Sequence, residues 1–194
     1  MWQLIETQQE GMTFLSQEEC QELGVSEATL ADDNYVPISA HIQNTEQFDP
    51  LFWGMSPNEA KLLDPQIRKF MEHSWATLES SGYITQRKSQ LIGVFAGSGT
   101  DHYFQNNVIQ KAHAGEVDMW EASVANRKDA LATKTAYFLG LTGPANSINT
   151  ACSTGLVSIV EACRNLQLGT CDMRSLAVFH WSCRKKLVTP TAKG

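Results

Sequence analysis

Cys152 is the residue of this sequence best placed to do chemistry. It stands in Asn149-Thr150-Ala151-Cys152-Ser153-Thr154-Gly155-Leu156, a thiol among small residues. A thiol is a nucleophile only as its thiolate. The first turn of a helix offers unpaired backbone N–H groups and the positive end of the helix dipole, and both favour an anion. The same N–H groups can hold the oxyanion that forms when a thioester is attacked. Ala151, Ser153, Thr154 and Gly155 are small enough to admit a substrate arm. From position alone Cys152 also reads as a buried packing cysteine, since most single cysteines are structural.

The elements needed to position such a thiol are present on both sides. Ala145 to Thr150 is short enough for a strand, and Leu156, Ile159, Val160, Cys163 and Leu166 recur at helical spacing until Gly169. The order is strand, Cys turn, buried helix. Upstream, Leu91 to Ala96 is a short apolar run that ends in Gly97-Ser98-Gly99, the pattern of a buried strand entering a loop. Ser56-Pro57-Asn58-Glu59 is a capping box with Pro at the first helical position. Asp64-Pro65 restarts the helix, which carries Ile67, Phe70, Met71, Trp75 and Leu78 on one face and stops near Gly82. Two further helices are predicted near Glu116 to Asn126 and Asp129 to Leu139. The N-terminal stretch to Leu30 mixes short helical patterns with polar residues, followed by a turn at Asp32-Asp33-Asn34 and an extended Tyr35 to Ile38. Alternating helices and strands predict a layered α/β fold.

Composition narrows the functions. The chain has 194 residues, 42% of them hydrophobic, enough for one sizeable core. A net charge of -6 argues against a broad nucleic-acid surface, and Arg184-Lys185-Lys186 is too short a basic run to supply one. No stretch approaches the roughly 20 apolar residues of a membrane span, and Met1 to Gln9 is not a secretory signal. A cytoplasmic location is expected. The five cysteines, Cys20, Cys152, Cys163, Cys171 and Cys183, contain no Cys-x-x-Cys pair, so a zinc ribbon is not expected.

Other candidates fail on spacing. Gly93 to Gly99 lacks the third glycine of a dinucleotide loop, because position 102 is His, and it lacks the Lys of a phosphate loop. His102, His113, Asp101 and Glu121 have no His-x-x-x-His pair and read as solvated polar residues. His41 and His73 read as surface or helix-face residues. Cys163 reads as packing against Leu156 and Val160, and a cysteine-protease reading of Cys152 finds no matching His.

Several motifs in order resemble one family. Asn149 to Leu156 resembles the active-site turn of the β-ketoacyl synthases, the ketosynthases of polyketide and fatty-acid assembly. Phe48-Asp49-Pro50-Leu51-Phe52-Trp53-Gly54-Met55-Ser56-Pro57-Asn58-Glu59-Ala60, then Asp64-Pro65-Gln66 and Arg68, resembles the N-terminal signature of the large modular ketosynthases. Gly93 to Gly97 with Asp101, and Leu139-Gly140-Leu141-Thr142-Gly143-Pro144, resemble the strand, loop and lead-in that follow. The segment from Glu10 to Tyr35 is similar to the bacterial modular type served by separate acyltransferases.

The resemblance implies the N-terminal half of a thiolase-like, five-layer αβαβα fold. It implies an acyltransferase in which Cys152 accepts an acyl chain from the phosphopantetheine arm of an acyl carrier protein. Two histidines further along the chain would then support decarboxylation of a malonyl unit and its condensation. It implies a homodimer when complete, no metal or nucleotide cofactor, and no nucleic-acid or membrane partner.

The family's first strand and Gly-rich turn are missing before Trp2, and the likeness ends near Met173. Residues 1–173 are therefore read as an incomplete ketosynthase N-terminal domain and 174–194 as a divergent tail. A frame change or truncation near Met173 is the expectation, with both histidines beyond it; His180 matches neither motif. On this reading the chain alone self-acylates without condensing, and strands that should be covered are exposed, with poor solubility. The alternative is a non-catalytic remnant or interaction fragment.

Overall fold

The computed structural model describes residues 2–39, 42, 44–100 and 102–176. Asp101, His41, His180 and Cys183 lie outside the described residues, as does most of the segment read as a tail.

The chain divides into two compact units at Asn44 and Thr45. The first contains α1 (Trp2–Glu6), β1 (Thr13–Phe14), α2 (Gln17–Glu22), α3 (Glu27–Leu30) and β2 (Ile38–Ser39). β1 and β2 pair antiparallel, with Thr13 opposite Ser39 and Phe14 opposite Ile38. Ser16 and Glu19 close a capping box at the start of α2, a local signal not picked out from the sequence. The predicted turn at Asp32 is an Asx turn, in which the Asn34 N–H donates to Asp32 Oδ1 at 2.9 Å.

The second unit begins with α4 (Pro57–Leu62) and α5 (Pro65–Ser80). Both caps form as read. The Ser56 hydroxyl accepts the Glu59 N–H at 3.2 Å while Glu59 accepts the Ser56 N–H at 2.7 Å. Asp64 accepts the Gln66 N–H at 2.8 Å, and Gly82 follows the helix end at φ 76°. Then come β3 (Ile92–Ala96), a π-helical turn (Phe104–Val108), α6 (Ile109–His113), α7 (Met119–Ala125), α8 (Leu131–Leu139), β4 (Ala145–Ser147), α9 (Thr154–Gln167) and β5 (Met173–Leu176). The helical stretch from Phe104 to His113 was not predicted, because Gln105-Asn106-Asn107 breaks any apolar period.

The sheet is parallel throughout, in the order β4-β3-β5, with Val94 opposite Ala145 and Ser175. β5 runs past Met173, so the sheet crosses the boundary drawn there from sequence. From β3 the chain crosses to one neighbour through α8, then from β4 back to the other through α9. Parallel crossovers are almost always right-handed, which puts α8 and α9 on opposite faces of the sheet. The pleat of β3 agrees. Ile92, Val94 and Ala96 join the core formed with Ile67, Phe70, Met71 and Leu78 of α5 and Leu131, Ala132, Ala136 and Leu139 of α8. Each large side chain buried there contributes about 1.5–3 kcal/mol.

Gly93, Phe95 and Gly97 take the opposite face, and here the expectation for α9 is corrected. The buried residues of α9 are Thr154, Ser158 and Ala162, one small residue per turn. Leu156, Ile159 and Val160 are exposed, and Cys163 is half-buried beside them. A helix that approaches a sheet this closely must present small side chains to it, so the apolar stripe faces outward. All of β3 is buried, while β4 is half-buried at Ala145 and Ser147 and exposed at Asn146; α9 adds an outward apolar stripe.

Candidate active site

Cys152 is exposed, on a 3-10 turn (Ala151–Ser153) between β4 and α9. It lies ahead of the first turn of α9 rather than in it, because the helix starts at Thr154 with Ser153 at the N-cap position. Ala151 has φ 52°, a left-handed conformation that costs a non-glycine residue about 1–2 kcal/mol. That reversal turns the chain leaving the β4 edge sharply into the helix and puts the thiol outside.

The turn is held by side-chain oxygens. Thr154 Oγ1 accepts the Thr150 N–H at 2.9 Å and donates to Ala151 O at 2.8 Å. Ser153 Oγ donates to Thr150 O at 2.7 Å and lies 3.0 Å from Thr150 Oγ1. The backbone N–H of Ser153 also donates to Thr150 O, and that of Thr154 to Ala151 O. These bonds employ the N–H groups of Thr150, Ser153 and Thr154 and leave that of Cys152 outside them. Of the small neighbours, Ala151 and Ser153 are exposed, Gly155 is half-buried and Thr154 is buried.

The turn is seated against the end of β3. Ile148 N–H donates to Ala96 O at 2.7 Å. A Cβ on Gly97 would stand 2.0 Å from Ile148 O and 2.4 Å from Thr154 Cγ2. Glycine is required here for close approach, where the sequence suggested only a turn signal. Gly143 is also tight, since its Cβ would lie 2.5 Å from the Ile92 carbonyl carbon.

Beyond Gly97 lies a buried polar group that sequence reasoning passed over. Gln66 Oε1 accepts the Gly99 N–H at 2.8 Å, and its Nε2 donates to Thr100 O and to Asp64 Oδ2, each at 3.3 Å. Asn126 Oδ1 accepts the Asp64 N–H at 2.8 Å, while its Nδ2 donates to Leu62 O at 2.7 Å and Ala122 O at 2.8 Å. The resemblance had marked Asp64-Pro65-Gln66 as a signature, but its long-range partners leave no local pattern.

The other candidates are not drawn to the turn. His102 and His113 stand at the two ends of the helical stretch after β3, and Glu121 sits in α7, whose N-cap is Asp118. Cys20 and Cys171 are buried. An apolar groove lies between α4, α7 and α8, lined by Met55, Leu63, Trp120, Val124 and Phe138, and Cys152 is not part of it. No helix among the described residues is long and apolar enough to cross a membrane.

Residues 1–175 match the family model described as beta-ketoacyl synthase, N-terminal domain. The chain is 34% identical over 179 residues to one polypeptide of the phenolphthiocerol/phthiocerol polyketide synthase of Mycobacterium tuberculosis, a match covering 89% of this chain and 12% of that protein. It is 36% identical over 150 residues to polyketide synthase PksM of Bacillus subtilis, covering 74% of this chain and 3% of that one. Among solved structures, ketosynthase twelve of the bacillaene polyketide synthase from Bacillus amyloliquefaciens superposes with a TM-score of 0.80 at 27% identity, over 97% of this chain and 33% of that chain. The ketosynthase of module 1 of the bacillaene synthase from the same species gives 0.74 at 29%, over 93% and 32%. The chain thus spans about a third of the solved ketosynthases and a small part of the curated synthases it matches.

Proposed function

The chain belongs to the β-ketoacyl synthase family, of the type found in modular polyketide synthases, and carries the N-terminal part of the thiolase-like layered α/β fold; on that premise we propose that Cys152 is its acyl-accepting nucleophile. The observation that carries this reading is the exposed thiol on a braced turn at the start of α9, with its own N–H outside the turn's bonds. The donor is an acyl chain on the phosphopantetheine arm of an acyl carrier protein. Cys152 Sγ attacks the thioester carbonyl, and the carbonyl oxygen takes the negative charge, with the Cys152 N–H as a donor to it. Collapse breaks the carbon–sulfur bond to pantetheine. The acyl group stays on Cys152, and the thiol proton ends on the departing pantetheine sulfur. No metal or nucleotide enters this exchange.

In the complete enzyme the acyl group is then condensed with a decarboxylated malonyl unit in polyketide or fatty-acid synthesis, within a cytoplasmic homodimer. These 194 residues by themselves take up acyl groups without condensing them. The resemblance assigns condensation to two histidines beyond the region of likeness, whereas loading calls only for the thiol and a donor to the oxyanion.

Intact mass spectrometry after incubation with an acyl-pantetheine thioester tests the reading. One acyl adduct is expected, lost in Cys152→Ala, with no β-ketoacyl product when a malonyl-loaded carrier is added. No adduct on a folded sample would sink it in favour of a non-catalytic interaction piece.

A further inference from the structure

We infer that Gln66 is a positioning residue for the Cys152 turn, acting through the loop that follows β3; this rests on the nucleophile reading above. Gln66 is 2% exposed, at the second position of α5. Its side-chain amide behaves as an extra peptide group. It accepts from Gly99 N–H and donates to Thr100 O, taking one donor and one acceptor from adjacent residues of the same loop. Asp64, which caps the helix, receives the other amide proton and so fixes the orientation of the Gln66 side chain. Asn126 in turn fixes Asp64 through its N–H and is itself anchored on Leu62 O and Ala122 O.

Burying an amide here stabilises little beyond what an apolar side chain of the same size gives. A fully satisfied buried polar network instead selects one geometry. What it selects is the path of residues 97–100. That path begins at Gly97, which touches the two groups that build the Cys152 turn: Ile148 O, at the exit of β4, and Thr154, whose hydroxyl braces Thr150 and Ala151. Neither contact has slack, since the missing Cβ would fall well inside both neighbours. A displacement of the loop after β3 is therefore transmitted to the turn rather than absorbed. Gln66 itself touches neither the thiol nor a substrate.

The test compares the wild-type chain with Gln66→Met, which keeps the volume and loses the amide, and with Gln66→Glu, which replaces the donor to Thr100 O by an acceptor. Two readouts are taken at Cys152: acylation by an acyl-pantetheine thioester, which needs the Cys152 N–H in place, and alkylation by iodoacetamide, which needs only the thiol. Amide hydrogen exchange is followed over residues 97–100, 148–154 and 131–139. Both variants are expected to acylate Cys152 at least about tenfold more slowly while alkylation stays within about twofold. Exchange is expected to quicken over 97–100 and 148–154 and not over 131–139, with Cys20 and Cys171 unlabelled. Equal losses in acylation and alkylation, labelling of the buried cysteines, or unchanged exchange over 148–154 would each overturn the inference. If the wild-type chain is not acylated at all, the nucleophile reading falls, and exchange over 148–154 still decides whether Gln66 governs the turn.

Discussion

Thr154 Oγ1 accepts the backbone N–H of Thr150 at 2.9 Å, and by donating to Ala151 O at 2.8 Å it closes a clasp around the residues leading into Cys152. A buried threonine at the head of a helix thus does the work of a cap for a turn outside that helix. Thr154→Val keeps the shape and loses the oxygen, leaving the Thr150 N–H without its acceptor. The expected cost is about 1–3 kcal/mol in urea denaturation. Thr154→Ser keeps the oxygen and loses one methyl group, for about 1 kcal/mol. Equal costs for the two variants would show that the hydroxyl is not the brace.

Gly97→Ala forces a methyl group into backbone only 2.0 Å away at Ile148 O. Backbone cannot step aside as a flexible side chain can, so β3, β4 and α9 must separate. A loss of about 1–3 kcal/mol or more is expected, together with slower acylation of Cys152. A urea midpoint within about 0.5 kcal/mol of the wild-type value would contradict this packing.

The outward stripe of α9 gives a prediction of the opposite sign. Leu156 is 68% exposed and Ile159 41%. The pair Leu156→Lys with Ile159→Gln should change stability by less than about 0.5 kcal/mol while lowering aggregation measured by light scattering. Loss of cooperative unfolding would mean that the stripe is buried and that Thr154, Ser158 and Ala162 do not form the inner face.

Glu59 is expected to make stability depend on pH. The Ser56 backbone N–H, and after it the Ser56 hydroxyl, hold its carboxyl below the usual carboxylate range. A depressed folded-state value stabilises the fold above the unfolded-state value and is lost as pH falls through the folded one. Glu59→Ala should therefore be less stable than wild type at neutral pH, and the gap should shrink as pH falls below the ordinary carboxylate range. Denaturation midpoints followed from neutral into acid pH check this; a gap that does not change with pH would show that the charge is not what matters.

What could be read from the sequence was what local chemistry decides. Ser56 with Glu59 and Asp64 with Pro65 are signals confined to four residues or fewer, and both caps form. The motifs from Phe48 to Leu156 gave the family in the right order. The buried face of α9 was misread because a periodicity argument assumes that apolar residues turn inward. Close approach of the helix to Gly97, just past the end of β3 and more than fifty residues away in the chain, leaves Thr154 no room to be larger. The role of Gln66 was illegible for the same reason, since both of its loop partners are more than thirty residues distant. Arg174-Ser175-Leu176 shows no alternation in sequence, and its pairing partners, Gly93, Val94 and Phe95, lie about eighty residues away in the chain.

The measurement that bears most directly on the role of Cys152 is a peptide mass map after exposure to an acyl-pantetheine thioester, reading Cys20, Cys152, Cys163, Cys171 and Cys183 together. The acyl group is expected on Cys152 alone, although Cys163 is also partly accessible. Acylation spread over Cys163 and Cys152 alike, or absent from Cys152 in a folded sample, would contradict that role.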